Sequence, residues 1–277
     1  MKKVLIPEGL VKKGFLKNFK EMFDEIIQAR ELIIRLFIRD FLARYKQSFL
    51  GITWIIIMPI IVINSFIFMN KSGILNIGNT SVPYPVFALL GLTIYQIFST
   101  GLVATTNSLV NAGSMIIKIN FPKESLIISS MAHSIFDFII RVFLLILVFI
   151  FFKVVPSYKS IIFPFLIIPL VLLTIGLGFI LSLLNCIARD TTNAVSLLTS
   201  FLLFITPVLY PEPKGILKIF TKYNIISPLI NAPREIVING YISKPDEYII
   251  ASLISIFIFL FCWRIFHLVE PKIAERV

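Results

Sequence analysis

An all-α integral membrane protein with six transmembrane helices is what this sequence predicts, and three features predict it. Hydrophobic residues make up 57% of the chain and charged residues only 15%, with a mean hydropathy of +0.93. A soluble domain carries about 25% charged residues. Six apolar stretches, at 50–69, 84–110, 126–152, 161–187, 191–210 and 248–268, each reach the ~20 residues a helix needs to cross a bilayer. Just upstream of the first stretch, charged and apolar side chains alternate at helical spacing, and then no charge occurs from Phe49 to Met69.

Residues 1–29 read as a cytoplasmic N-terminal helical segment. Phe15, Phe19, Phe23 and Ile27 recur every fourth residue among lysines, and the segment is too charged for a cleavable signal peptide. Residues 30–48 read as an amphipathic interfacial helix. Ile33, Phe37, Phe41 and Tyr45, flanked by Leu36 and Leu42, form a broad apolar face, and Arg35, Arg39 and Lys46 lie together on another. That pattern suits a helix lying in the membrane surface. Gly51 lets the chain turn into the transmembrane domain, 49–268.

The second span opens at Pro83-Tyr84-Pro85, and its second half is polar: Ser99, Thr100, Thr105, Thr106, Asn107, Ser108 and Asn111. Such residues avoid lipid and pack on other helices or face a wet cavity. Between spans two and three, residues 113–124 mix Met115, Ile116, Lys118, Ile119 and Phe121 before Pro122. They predict a short cytoplasmic helix suited to a groove on a partner, ended by the proline. In the third span Asp137 and Arg141 stand at i and i+4 and predict an intramembrane ion pair. The fourth span carries Gly176 and Gly178 for close packing and ends in a tight turn at Arg189-Asp190. The fifth has Asn193, Ser196 and Ser200 in one stripe beside Phe201 and Phe204, and stops at Thr206–Pro211. In the segment 211–247, prolines at 211, 213, 228, 233 and 245 leave apolar pieces at Ile216–Phe220 and Ile225–Ile238. These are too short to cross and predict two short re-entrant helices. The sixth span leads into a charged tail, 269–277.

Lys and Arg set the orientation. With the N-terminus inside, 17 of the 26 lie on the cytoplasmic side, 8 on the other, and Arg141 within a span. Both termini are therefore expected in the cytoplasm. Cys186 and Cys262 have no metal-ligand company and suggest no disulfide. His133 and His267 stand far apart, without a neighbouring cysteine or acid cluster. A nucleotide-binding P-loop needs two glycines five apart followed by Lys and Ser/Thr. Gly9 and Gly14 have that spacing but precede Phe15, and Gly73 and Gly78 precede Asn79. No cofactor is expected in this chain, and no nucleic acid. An enzyme would have to rest on the scattered His133, Asp137 and Arg141.

Six stations in order carry a resemblance that begins at about residue 30. Residues 39–59 contain Arg-Asp, Arg-Tyr-Lys-Gln-Ser, Leu-Gly, Trp and Pro; Ile119–Glu124 contains Phe-Pro-Lys-Glu; Asp137 follows, then Arg189-Asp190 and Thr-Pro-Val-Leu-Tyr-Pro at Thr206–Pro211. The last is Asn224, Ser227-Pro228-Leu229-Ile230 and Arg234, with Ile225 departing from the proline usual there. This order resembles the membrane subunit of a type-2 ABC exporter of the polysaccharide branch, which moves O-antigen, capsular or teichoic-acid polymers. The resemblance implies a half-channel in the bacterial cytoplasmic (inner) membrane. Two copies would work with two copies of a separate ATP-binding subunit, which holds the ATP and Mg, on a lipid-linked polysaccharide. The interfacial helix (Arg35, Arg39, Arg44, Tyr45, Lys46) and a coupling helix at about 113–124 would contact that subunit. The segment 211–247, with Pro211, Asn224, Ile226, Pro228, Leu229 and Arg234, would gate the outer mouth. Trp54, Tyr95, Phe98, Phe201, Phe204 and Tyr210, with Ser196 and Ser200, are the channel candidates, since flat rings suit pyranose faces. The same fold exporting a lipid or drug, or a membrane enzyme acting on polyprenyl-linked sugars, are the alternatives.

Overall fold

A computed structural model describes residues 15–46, 50–72, 80–119, 121–211 and 216–273. The first half of the predicted N-terminal segment, residues 47–49 of the opening motif, the Tyr45 side chain and the last four residues of the tail lie outside the described residues.

The described residues form eleven α-helices and no strand. Two lie at one end of the bundle, α1 (Phe15–Gln28) and α2 (Arg30–Lys46), with the hydrogen-bond ladder running through Ala29. A 3-10 turn at Gly51–Thr53 leads into α3 (Trp54–Lys71), and Gly51 there takes a positive φ of 48°. The chain then crosses back in α4 (Tyr84–Asn111), makes the six-residue α5 (Gly113–Lys118), and runs out again in α6 (Glu124–Phe151). It continues through α7 (Phe163–Ile187), α8 (Thr191–Ile205), α9 (Ile216–Tyr223), α10 (Ile226–Ile238) and α11 (Pro245–Ile273).

Among the described residues, five helices are long and apolar enough to cross a membrane: α3, α4, α6, α7 with its preceding 3-10 turn, and α11. The fifth predicted span is shorter than expected. Helix α8 has 15 residues and stops at Ile205, about 22 Å at ~1.5 Å per residue, against a hydrocarbon core of ~30 Å. The cause is Pro207. It holds Thr206 in an extended conformation, with φ −83° and ψ 137°, as a residue before proline prefers. The predicted 113–124 helix is likewise confined to Gly113–Lys118, since Ile119 is extended and α6 begins at Glu124. By contrast, Pro228 and Pro233 do not break α10. Pro228 sits in the first turn, whose N–H groups need no helical partner.

Helix α4 is the axis of the bundle, buried from Val86 to Leu109 between α6 and α7, with α11 on the far side of α7. Close approach of α7 depends on its two glycines. A Cβ at Gly176 would lie 2.7 Å from the Phe259 backbone, and one at Gly178 would lie 2.4 Å from Thr105 Oγ1. Helix α10 folds back onto α4, α7 and α11 rather than standing in solvent, and Ile226, Leu229 and Ile230 are buried there. Arg234 is buried with them. Its guanidinium lies 4.0 Å from the Phe87 ring centre, donates to the Val208 carbonyl at 3.1 Å, and reaches Asn231 Oδ1. A desolvated cation over a ring gains about 2 kcal/mol. Asn224 donates to Thr206 Oγ1 at 2.8 Å and accepts from the Ile226 N–H at 3.0 Å, so it joins the end of α8 to the start of α10. A second apolar cluster gathers at the α2 end. It contains Met22, Leu36, Leu109, Ile116, Phe121, Leu126, Ile127, Phe179, Cys262, Trp263 and Phe266.

Candidate functional site

Helices α2, α4, α6 and α8 line a polar groove of about 760 Å³. Helix α2 is placed on α6 by aromatic contacts: the Phe37 ring lies 4.7 Å from His133 and the Phe41 ring 4.8 Å from Phe136. That leaves Ile34, Ile38 and Leu42 as a second, exposed apolar face. It also turns Arg39, Asp40 and Arg44 toward the groove. Arg39 pairs with Asp40 at 2.7 Å and touches Met115 Sδ of α5 at 3.5 Å, while Arg44 reaches Asp137 of α6 at 3.5 Å.

The polar half of α4 divides by face. Thr105, Thr106 and Ser108 are buried and satisfy themselves on backbone carbonyls one turn back, the usual arrangement for a hydroxyl inside a membrane helix. Ser99, Thr100, Asn107 and Asn111 line the groove instead. Asn107 Oδ1 accepts from Thr192 Oγ1 at 2.7 Å and from Asn185 Nδ2 at 3.3 Å, fixing the start of α8 against α4 and α7. Ser196, Thr199 and Ser200 complete the wall from α8.

Of the residues singled out in the sequence, Arg39, Arg44, Asp137, Ser196 and Ser200 meet in this groove, and Arg141 is buried one turn along α6 from Asp137. Arg35 and Lys46 are exposed on α2. The aromatic candidates do not gather. Trp54, Phe201 and Phe204 are exposed, whereas Tyr95 and Phe98 are buried, with the Tyr95 hydroxyl donating to the Thr199 carbonyl. Tyr210 is half-buried at the opposite end of α8 and donates to the Phe204 carbonyl. In the 113–124 stretch, Ile116 and Phe121 are buried in the chain's own cluster, Met115 and Pro122 are half-buried, and Lys118 and Ile119 are exposed. Charge at Ile116 would therefore act on the fold before any partner. Pro211 and Pro228 are half-buried.

The reading of His267 as lacking acid neighbours is overturned. Its Nδ1 lies 2.8 Å from Glu124 Oε1 and 3.8 Å from Glu270 Oε2, and Lys123 Nζ lies 3.3 Å from Glu270 Oε1. Glu270 stood three residues away on the same helix, a signal present in the sequence; Glu124, 143 positions away, gave none. Donor atoms of Glu124, His267 and Glu270 lie within 4.8 Å of one another, close enough for one metal ion. Both cysteines are free thiols.

The groove's charges come as opposed pairs, Arg39 with Asp40 and Arg44 with Asp137, among amides and hydroxyls. Such a surface offers donors and acceptors in both senses without a dominant sign, which suits a neutral polyhydroxylated ligand better than a polyanion. Comparison with known proteins bears on the same region. The model of a family described as "ABC-2 type transporter" matches residues 31–238, from α2 to the last residue of α10. The chain is 28% identical over 191 residues to the "O-antigen export system permease protein RfbA" of Myxococcus xanthus, which covers 68% of this chain and 71% of that one. Two proteins of the same name from Klebsiella pneumoniae are 26% and 27% identical over 251 residues, covering 88% of this chain and 94% of theirs.

Proposed function

The chain belongs to the ABC-2 type transporter family, and from that premise we propose that it is the membrane subunit of an ATP-driven exporter of lipid-linked polysaccharide of the O-antigen type. The observation that carries the cargo assignment is the polar groove, because a bundle whose cost is set by burying polar groups in hydrocarbon keeps amides, hydroxyls and opposed ions lining one continuous space. Sugar hydroxyls exchange hydrogen bonds with Asn107, Asn111, Ser196 and the paired Arg and Asp side chains without a fixed register, as a moving polymer requires. The similarity to O-antigen permeases over most of the chain supports the same cargo.

In this reading two copies stand side by side in a bacterial inner membrane, with both termini in the cytoplasm and two ATP-binding subunits beneath them. Lys118 at the end of α5 and Ile119 just beyond it, both exposed, are the contact with those subunits. Helix α8 is the fifth of six spans, completed by the turns and bends of 206–211, and α9 and α10 are re-entrant helices at the outer mouth. The exposed Trp54, Phe201 and Phe204 face the second copy or the polymer between the two.

A second reading, export of a lipid or drug, draws on an apolar groove of about 1050 Å³ on the other side of α8, lined by Leu198, Leu202, Phe220 and Ile258 among others. Deleting the chain from its native host separates the two. Loss of a surface glycan with accumulation of its lipid-linked precursor inside, restored by the chain only together with a catalytically intact ATPase, is the result expected. Unchanged surface glycan with altered lipid or drug efflux would select the second reading.

A further inference from the structure

We propose that Lys123, Glu124, His267 and Glu270 are positioning residues that lock the coupling segment to the last span, so that α5, the start of α6 and the end of α11 move as one body. The proposal rests on the exporter reading above and names the path by which force from the ATPase enters the bundle.

Lys123 is the residue immediately before α6, five positions beyond the last helical residue of α5. Its backbone N–H donates to Glu270 Oε1 at 2.9 Å and its ammonium lies 3.3 Å from the same oxygen. One residue on, Glu124 meets His267. Two successive residues of the coupling segment are thus tied to two residues one turn apart on α11. Along the rest of their length α6 packs on α4 and α11 packs on α7, so the network is where the ends of these two helices are joined. Beside it, Ile116, Phe121 and Leu126 share the apolar cluster with Trp263 and Phe266. Apolar surfaces hold helices together but let them slide, whereas paired, hydrogen-bonded ions fix the register. The carboxylates lie almost entirely out of water: the Glu124 side chain is 2% exposed and that of Glu270 13%. Although the donors are close enough for a metal ion, the Lys123 ammonium already supplies the cation to Glu270, and His267 Nδ1 is engaged by Glu124. Glu270 thus has a cation and Glu124 Oε1 a partner without an ion, while Glu124 Oε2 is buried with no hydrogen bond.

The test replaces the ionic tie by a covalent one. In a Cys186→Ser/Cys262→Ala background that displays wild-type surface glycan, Lys123→Cys/Glu270→Cys is expected to keep the ATPase co-purifying and hydrolysing ATP at the basal rate. Glycan display on intact cells should fall about tenfold, the scale of a coupled pair, and return to within about threefold of the parent after bridging with dibromobimane, a permeant dithiol reagent. A loss that persists with both thiols bridged and the complex intact would overturn the lock, as would undiminished display before bridging. Loss of assembly in parallel with display would show the cluster to be a folding element only. Stimulation of the parent by added Zn²⁺ or Mn²⁺, or its inhibition by a chelator, would replace the lock with a metal site. If the parent complex itself shows no ATP-dependent display, the exporter reading falls and takes the lock with it.

Discussion

The two ends of the bundle solve the same problem differently. Near Phe87 a lone cation, Arg234, is buried in a neutral socket made of an aromatic face, a backbone carbonyl and an amide. At the α2 end side chains pair with one another instead, Lys123 with Glu270 and His267 with Glu124. A socket of fixed dipoles belongs to one position, because the Val208 carbonyl cannot follow a displaced guanidinium. Side-chain ions instead tie one helix to another and can travel with both. The Arg234 end is therefore pinned to a fixed backbone carbonyl, and the α2 end is tied helix to helix by paired side chains.

The sharpest way to break this comparison is to remove the central cation at each end. Arg234→Met leaves the buried Val208 carbonyl without that donor, at ~1–3 kcal/mol, and strands the half-buried Asn231 amide oxygen at less. A loss of about 4 kcal/mol in detergent melting is expected, and adding Asn231→Leu should relieve only the smaller Asn231 share, since the backbone acceptor remains. Arg234→Lys should recover little, because the planar fork and ring stacking are lost. At the other end, Lys123→Met strands the Glu270 carboxylate and should cost about 3 kcal/mol. Here Glu270→Gln, which keeps an oxygen for the backbone N–H while removing the charge, should restore most of it. Equal rescue at both ends would dissolve the distinction. A smaller effect, about 2 kcal/mol of overpacking, is expected from Gly91→Ala, whose Cβ would lie 2.4 Å from the Val208 carbonyl oxygen and 3.1 Å from Arg234 Nη1. Least of all, Ile119→Glu, exposed just beyond α5, should change stability by less than about 0.5 kcal/mol yet abolish co-purification of the ATPase. Ile116→Glu should instead lower the melting temperature, because that side chain belongs to the core.

The class of fold was legible because an uncharged apolar run of about twenty residues is too long for a strand and matches the thickness of a bilayer as a helix. Helices α3, α4, α6, α7 and α11 follow such runs closely. The end of α8 was partly legible, since Pro207 marks it, but a span counted by hydropathy ran on through Val208 and Leu209, which are buried without being helical. Site residues were harder to read. In a soluble helix the polar face reveals the inside, but in a membrane the lipid-facing and core-facing sides are both apolar, so Phe98 and Phe201 look alike in sequence. One is buried and the other exposed. The polar half of α4 was visible as a block, but its division into self-satisfied Thr105 and groove-lining Asn107 depends on which neighbour each face meets. The tie between Glu124 and His267 spans 143 positions and has no local signal at all.

Helix α5 is anchored from within: Ile116 is 4% exposed in a cluster drawn from α1, α2, α4, α6, α7 and α11. Its shape therefore exists before any partner arrives. If the ATPase docks there, as proposed, it meets a preorganised knob and loses little ordering entropy, so association should be fast and rigid-body in character. Discrimination between one ATPase and its cousins then falls to the few exposed side chains, Lys118 and Ile119 foremost. Exchanging those residues between related permeases should be enough to redirect partner choice while the rest of the bundle stays as it is.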